Sequence, residues 1–263
     1  MIDKPFAALH VLVTRPLPQQ QDLVAAIEAA SGHVLQLPLL DIKGLTTPDE
    51  PVGLIGKIQN LDNYRILIFV STNAVRHGVY WIEQYWPQFP AGVQLVAIGP
   101  GTARALSAAL GQHAIHSDAG TTSEDLLQLP VFTDVRDMRI GIVRGRGGRE
   151  LLAQTLQDRG AVVDYLEVYE RQLAPYVAQD FGRQLQTHAI NVFTVSSGES
   201  MLYLAQLLRD NKAQMSLIPL LVPSQRVAEQ ASTAGFKRVI NTGGADVASY
   251  MTALADLAGA ASA

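Results

Sequence analysis

The chain contains no cysteine, so it has no disulfide, no thiolate metal ligand and no cysteine nucleophile. It also lacks a long apolar run, because the longest stretches, Ile66–Val70 and Leu217–Val222, have the length of strands and fall far short of a membrane span. No long Lys/Arg cluster occurs and the formal net charge is −4, which argues against nucleic acid as a partner. The first residues lack the charged start and apolar segment of a signal peptide, so we expect a cytoplasmic protein.

What the chain does contain is enough apolar sequence for packed cores. Of its 263 residues, 48% are hydrophobic and 17% are charged, which is typical of one large folded domain or two of ordinary size. Short β-branched runs alternate with amphipathic stretches over nearly the whole length, which indicates βα units and parallel sheets. The predicted strands are Val11–Thr14, Val34–Leu37, Ile66–Val70, Leu95–Ile98, Ala114–Ser117, Ile140–Val143, Val162–Val168, Asn191–Val195, Leu217–Val222 and Arg238–Asn241.

The spacing of these runs indicates a permuted repeat. The segment from about 65 to 168 supplies five strands, which we label a to e in chain order. The rest of the chain supplies strands equivalent to d and e at its start and to a, b and c at its end. The matching intervals are Ser71 to Gly99 and Ser196 to Ser224 (28 positions each), Ile98 to Ser117 and Val222 to Asn241 (19 each), and Arg144 to Glu167 and Arg15 to Pro38 (23 each).

We therefore predict an α/β protein of two similar flavodoxin-like parallel-sheet domains, one inserted into the other. The discontinuous domain comprises residues 1–40 plus 173–263, and the inserted domain comprises residues 44–168. The chain crosses between them at 39–45 and at 167–175, and two crossings make a hinge beside a cleft. The alternative is that the matching intervals arise by chance.

Small and polar residues follow many of the predicted strands, where open parallel sheets bind ligands. Ser196 with Glu199 three residues later has the pattern of a capping box. Arg15 and Arg144 end the two d strands, and an arginine at a strand end is suited to bind a carboxylate or phosphate. The alternative is that the small residues only cap helices and the arginines form surface ion pairs. The predicted substrate-binding residues are Arg15, Ser71, Thr72, Asn73, Gly99, Gly101, Thr102, Arg144, Gly145, Arg149, Ser196, Ser197, Gly198 and Ser224.

Other catalytic constellations are weak or missing. The loop Gly145–Gly148 half matches a dinucleotide-binding loop, with Glu167 near the place of a ribose-binding acid, but Glu150 stands at the third glycine position and would oppose a pyrophosphate. His113 and His116 lie three apart on a predicted strand and so point to opposite faces. We therefore expect no metal site, and no nucleophilic serine of the G-x-S-x-G type occurs.

One weak acid remains, the phenol of Tyr169, which follows strand e at the second predicted crossing. A phenol is protonated at neutral pH and can donate its proton to a leaving hydroxyl. The alternative is a hinge tyrosine that packs one face of its ring and exposes its oxygen. The sequence also predicts a helix over Glu150–Arg159 that ends at Gly160, where glycine favours a helix C-terminus.

An ordered set of segments resembles the uroporphyrinogen-III synthase family and spans most of the chain. No segment is decisive alone, but the set together with the permuted layout is specific. The segments are Val11–Pro16, Ile68–Val75, Ala97–Ala103, Thr122–Leu127, Arg144-Gly145 with Arg149–Leu151, Val168-Tyr169, Phe193–Ser197 and Val222–Ser224.

The resemblance implies two α/β domains joined by a two-stranded connector, a monomer, and a lyase that uses no cofactor. Such an enzyme takes hydroxymethylbilane, a linear tetrapyrrole with eight carboxylates, and removes its terminal hydroxyl as water. The far pyrrole then attacks through its substituted carbon, and a spiro intermediate fragments and recloses as uroporphyrinogen III with ring D inverted, on the route to haem. Tyr169 would be the general acid. The alternatives from the residues are a two-lobed cytoplasmic small-molecule binding protein and a nucleotide-dependent enzyme using Gly145–Gly148.

Overall fold

A computed structural model of the chain describes residues 5–17, 19–45, 53–148 and 150–262. The chain divides into two compact units. The five-stranded unit comprises Met1–Asp41 together with Gln172–Ala263, and the six-stranded unit comprises Ile42–Arg171.

Ten of the strands lie where the apolar runs predict them. The exception is β3, which alternates buried and exposed residues over only five positions and so gives a weak signal. The strands are β1 His10–Val13, β2 His33–Gln36, β3 Leu40–Gly44, β4 Ile66–Phe69, β5 Gln94–Ala97, β6 Ala114–Ile115, β7 Arg139–Gly145, β8 Val162–Leu173, β9 Val192–Thr194, β10 Leu220–Val222 and β11 Val239–Asn241.

Helices connect all consecutive strands except β2 and β3, as the amphipathic stretches between the runs predict. The α-helices are α1 Gln21–Ala29, α2 Leu54–Gln59, α3 Thr72–Tyr85, α4 Pro100–Leu110, α5 Ser123–Leu126, α6 Leu151–Asp158, α7 Ala178–Thr187, α8 Gly198–Leu207, α9 Lys212–Leu217, α10 Gln225–Ala234 and α11 Val247–Ser262. Short 3₁₀ turns span Leu61–Asn63 and Pro130–Phe132.

The two sheets share one spatial arrangement reached by different chain orders. In the five-stranded unit the order is β11-β10-β9-β1-β2, and every neighbouring pair is parallel. In the six-stranded unit the order is β3-β8-β7-β4-β5-β6, and the pairs from β8 to β6 are parallel. Numbered along the chain, the first sheet has the flavodoxin order 2-1-3-4-5, and the second is its circular permutation with β3 added beside β8. The predicted fold class is confirmed.

Strand β4 shows why a central strand of these sheets is apolar at every position. Ile66 and Ile68 pack into one hydrophobic core of the six-stranded unit, whereas Leu67 and Phe69 pack into the other. Alternate side chains of a strand point to opposite faces, so helices must cover both faces of this sheet. Complete burial of each such side chain stabilises the fold by roughly 1.5–3 kcal/mol.

The helix termini confirm one sequence prediction and correct another. Gly160 has φ +92° directly after Arg159, the C-cap of α6, as expected for a glycine that ends a helix. The capping box predicted at Ser196 and Glu199 was wrong by one residue, because α8 is capped by Ser197 with Ser200 as its partner. Ser200 is 2% exposed and its hydroxyl bonds back to Ser197, while Glu199 faces solvent, so burial of this helix face sets the register.

Candidate active site

A cavity of about 310 Å³ opens at the carboxyl edge of the six-stranded sheet. Its walls include Val70 and Ser71, which follow β4, and Arg144 and Gly145 at the end of β7. Strands β4 and β7 are neighbours in space but are separated in the chain by β5 and β6, so the strand order reverses between them. Open parallel sheets bind ligands at such a switch point. The cavity is therefore the candidate site.

Ser71 caps helix α3 at the wall of this cavity. Its backbone is extended, and its Oγ accepts a hydrogen bond from the Ala74 N–H at 3.0 Å. The first-turn N–H groups of the helix, which begins with Thr72 and Asn73, have no acceptors within the helix itself. Together with the helix dipole, these groups make the end of α3 attractive to an anion.

Tyr169 places its hydroxyl beside this cap. The side chain is 5% exposed, and its Oη lies 3.2 Å from Ser71 Oγ, a distance at which either oxygen can donate. Its ring lies so close to Gly145 that a Cβ at that position would come within 2.5 Å of Cε2 and 2.6 Å of Cζ. Glycine is therefore required at position 145 for the tyrosine to occupy this place.

A register shift between β7 and β8 directs Tyr169 to its position. Arg144 pairs with Glu167, but the next residue, Gly145, pairs with Tyr169, so Val168 is an extra residue in β8. Without this shift Val168 and Tyr169 would face opposite sides of the sheet, yet both contribute to the same hydrophobic core. Bulges of this kind re-aim side chains beside functional sites.

Arg144 is a buried cation whose donors are directed at the neighbouring loop. Its side chain is 7% exposed, and its guanidinium lies 4.6 Å from the centre of the Tyr165 ring. Nε donates to the Gly145 carbonyl at 3.1 Å, and a terminal nitrogen donates to the Gly147 carbonyl. Arg144 therefore holds the loop after β7 and also brings positive charge to the cavity wall.

The loop after β7 is also held by a hydrogen bond and an ion pair to β8. The Gly147 N–H donates to Glu167 at 3.3 Å, and Arg146 forms an ion pair with Glu170 at 3.0 Å. Glu167 thus bonds the loop itself, which differs from the ribose contact that a dinucleotide-binding protein would need. Position 149 lies outside the described residues, so the predicted contact of Arg149 has no structural account.

Some predicted residues of this unit do not line the cavity. Gly99 caps α4 with an extended backbone, Gly101 is exposed and Thr102 is buried within that helix. The structure brings Ser71, Arg144, Gly145 and Tyr169 together, whereas Thr72, Asn73, Gly99, Gly101 and Thr102 are not wall residues. Sequence patterns gave no signal for two residues of the wall, Tyr165 and Arg171.

The five-stranded unit repeats part of this arrangement at its own switch point, between β1 and β9. Arg15 is 8% exposed, its guanidinium lies 4.8 Å from the centre of the Tyr250 ring, and it donates to the Ala245 carbonyl. Tyr250 in turn donates to the Val195 carbonyl at 2.6 Å. As in the six-stranded unit, an arginine at a d-strand end stacks on a tyrosine and holds a loop.

The remaining predicted residues of the five-stranded unit lie at helix N-termini. Ser196 precedes the Ser197 cap, Gly198 begins α8, and Ser224 caps α10 through its extended backbone without a side-chain cap bond. A Cβ on Gly198 would lie 2.7 Å from Oε1 of Gln230, so this helix start is closely packed.

Histidines and acidic residues do not converge on one point in the described part of the chain. Across those residues, no group of three or more has the geometry to hold a metal ion. His113 and His116 flank the two-residue strand β6, and His116 Nδ1 lies 3.6 Å from the exposed Asp118 carboxylate. Within the same residues, none of the helices has the length and apolar content needed to span a bilayer.

Comparison with known proteins gives one consistent result. A family model described as uroporphyrinogen-III synthase HemD matches residues 21–248. The uroporphyrinogen-III synthase of Escherichia coli K12 is 31% identical over 252 residues, covering 94% of this chain and 100% of that protein. The Proteus mirabilis enzyme of the same name is 33% identical over 173 residues, covering 66% of this chain and 85% of that protein. A solved uroporphyrinogen III synthase mutant of Thermus thermophilus has a TM-score of 0.58 at 17% identity, covering 93% of this chain and 96% of that one, and thereby shares the fold.

Proposed function

The chain belongs to the uroporphyrinogen-III synthase family, and we propose that the cavity at the β4–β7 switch point is where it binds and activates its substrate. The enzyme is a cyclising lyase of haem biosynthesis that converts hydroxymethylbilane to uroporphyrinogen III with loss of water. The observation that carries the assignment of the site is the Tyr169–Ser71 hydroxyl pair, part-buried at the wall of that cavity.

The substrate carries eight carboxylates, and we propose that the cavity binds some of them. Arg144 supplies a fixed cation at the cavity wall. Helix α3 begins directly after the wall residue Ser71, and the N–H groups of its first residues, Thr72 and Asn73, are proposed as donors although their side chains do not line the wall. The other predicted substrate-binding residues stay predictions: Arg15, Gly99, Gly101, Thr102, Gly145, Arg149, Ser196, Ser197, Gly198 and Ser224.

Tyr169 acts as the general acid in this proposal. Its phenol donates a proton to the terminal hydroxyl of the substrate while the pyrrole nitrogen supplies the electron pair that breaks the C–O bond. Water leaves, and a phenolate remains beside the Ser71 hydroxyl, which at 3.2 Å can donate to it. The proton lost when the closing pyrrole regains its aromaticity restores the phenol, so the overall change is loss of one water.

The larger contribution is to the geometry of ring closure. The substrate loses its hydroxyl and closes unaided to the uninverted isomer, so the enzyme must favour attack through the substituted carbon over simple closure. Holding the carboxylates at fixed points in the spiro geometry does this by orientation and by selective binding of the transition state. A rigid, buried arginine and an ordered helix terminus are suited to that task.

The isomer of the product tests the activity directly. Hydroxymethylbilane is generated in situ, the purified protein is added without metal or nucleotide, and the oxidised porphyrins are separated by chromatography. We expect predominantly type III product. Type I product at the spontaneous rate, from protein shown to be folded by circular dichroism, would refute the assignment.

We further propose that the enzyme is a cytoplasmic monomer that binds neither nucleic acid nor a membrane. The formal net charge of −4 and the lack of a long basic cluster support the first exclusion. Light scattering behind a sizing column tests the monomer, because one chain has a mass of 28.4 kDa.

A further inference from the structure

His77 is a histidine that no sequence pattern assigned to the site, yet it lies against Tyr169. The two ring centroids are 5.7 Å apart and the ring planes are inclined by 36°. His77 belongs to α3, the helix whose N-cap is Ser71. One helix therefore carries both the residue beside the Tyr169 hydroxyl and a residue beside its ring.

The three contacts together restrict where the phenol can be. Gly145 approaches ring atoms Cε2, Cζ and Cδ2 so closely that even a methyl group would not fit. His77 packs on the ring, and Ser71 is within hydrogen-bond distance of the hydroxyl. With 5% of Tyr169 exposed, the ring has little free space around it.

The charge of His77 suits this place. Burial lowers the pKa of its imidazole below the ordinary value, and the neighbouring Arg76 lowers it further, so the ring is neutral at pH 7. A neutral ring places no formal charge beside the phenol, so the contact is one of packing. Among the described residues, the buried Nε2 has no hydrogen-bond partner, and the ring lies against Tyr169.

We propose that His77 is a positioning residue for the reaction, whose ring holds the Tyr169 phenol where its hydroxyl reaches both Ser71 and the cavity. The proposal rests on the role of Tyr169 as the acid. It differs from a purely structural role in that loss of the His77 ring should lower kcat only through Tyr169.

A double-mutant cycle tests this. We expect His77→Ala to lower kcat for type III formation about tenfold, since a catalytic group displaced by about 1 Å can lose up to 100-fold in rate. KM should stay within about twofold, because the carboxylate contacts are untouched. In the Tyr169→Phe background the same change should have no further effect, so the double variant should equal Tyr169→Phe alone.

Two variants separate the ring contact from general damage. His77→Phe keeps a neutral ring and loses both ring nitrogens, of which the buried Nε2 has no hydrogen-bond partner among the described residues, so its kcat should stay within about threefold of wild type. Tyr80→Ala removes a half-exposed ring from the same helix and should leave kcat unchanged. If His77→Ala does not fold, as judged by its unfolding midpoint, His77→Gln takes its place in the cycle with the same expectation.

The outcomes are distinct. A double variant tenfold slower than Tyr169→Phe, or a His77→Phe as slow as His77→Ala at equal stability, overturns the positioning role. A Tyr169→Phe with the wild-type rate also overturns it, because His77 would then have nothing to position. Wild-type protein that yields only type I product defeats the proposed function itself, and that result is visible before any variant is made.

Discussion

Gly145→Ala gives the most direct test of the site geometry. The new Cβ would lie 2.5 Å from Cε2 and 2.6 Å from Cζ of Tyr169, whereas carbon atoms pack at about 3.5–4.0 Å. Either the backbone at position 145 or the Tyr169 ring must therefore move by about 1 Å. The ring is packed by His77 on α3, so we expect the shift to carry the phenol hydroxyl away from Ser71.

The expected cost follows from two known magnitudes. Overpacking a well-packed site costs about 1–3 kcal/mol of unfolding free energy. Misplacing a catalytic group by about 1 Å can lower the rate up to 100-fold. We therefore expect kcat for type III product to fall roughly 10- to 100-fold in a protein that still folds at 25 °C.

The assay combines turnover, isomer analysis and urea unfolding, with Gly56→Ala as the matched control. Gly56 lies in α2 of the same unit, and a Cβ added there would meet no atom within 4 Å, so that change should stabilise the protein by about 0.5–1 kcal/mol and leave turnover unchanged. A Gly145→Ala protein with the wild-type rate and isomer ratio would show that the position of Tyr169 does not matter for the reaction.

Three further expectations concern Tyr169, Arg144 and Asp164. Tyr169→Phe should reduce kcat for type III product without abolishing it, because the substrate is still held in the right orientation. Complete loss of activity from a folded variant would mean that proton donation by Tyr169 contributes more to the rate than orientation does. In Arg144→Lys the lysine cannot donate to the Gly145 and Gly147 carbonyls in the way the guanidinium does, so the position of the cation changes. KM for hydroxymethylbilane should therefore rise roughly tenfold. An unchanged KM in steady-state assays would argue against a contact between Arg144 and a substrate carboxylate. Burial pushes the pKa of Asp164 upward, but hydrogen bonds, chiefly from Arg139, outweigh burial and leave it below the ordinary value. Asp164→Asn should therefore be less stable than wild type in urea at pH 7, and the difference, complete above pH about 4, should close as pH falls through the lowered folded pKa; a difference that does not vary with pH would contradict this.

The strands were predictable because both faces of each sheet are covered. A strand such as Ile66–Phe69 is apolar at every position for that reason, and the run stands out in the sequence. The interval of 28 positions between Ser71 and Gly99 recurs between Ser196 and Ser224 because equivalent βα units have the same length. Pattern and spacing therefore sufficed for the fold class.

The details of the site could not be predicted from the sequence, because they depend on contacts between residues that are distant in the chain. The capping box lies at Ser197, one residue after the predicted position, because Ser200, and not Glu199, is on the buried face of α8. The bulge at Val168 depends on how β8 pairs with β7, and no local pattern marks it. Likewise, the contact of His77 with Tyr169 joins a helix and a strand 92 positions apart in the chain.

The permuted order of the five-stranded sheet has a consequence for how the chain is made. Strand β1 pairs with β9, and the His10 N–H donates to the Asn191 side chain across 181 positions. During synthesis from the N-terminus, the whole segment Ile42–Arg171 emerges before β9 exists, so the six-stranded unit can collapse while β1 still lacks that neighbour. The entropic cost of closing such a long loop grows only slowly with its length. If the inserted segment is already folded, the loop that must be closed is effectively shorter. If the inserted unit folds first, the segments that carry β1 and β9 on either side of it come within reach of each other.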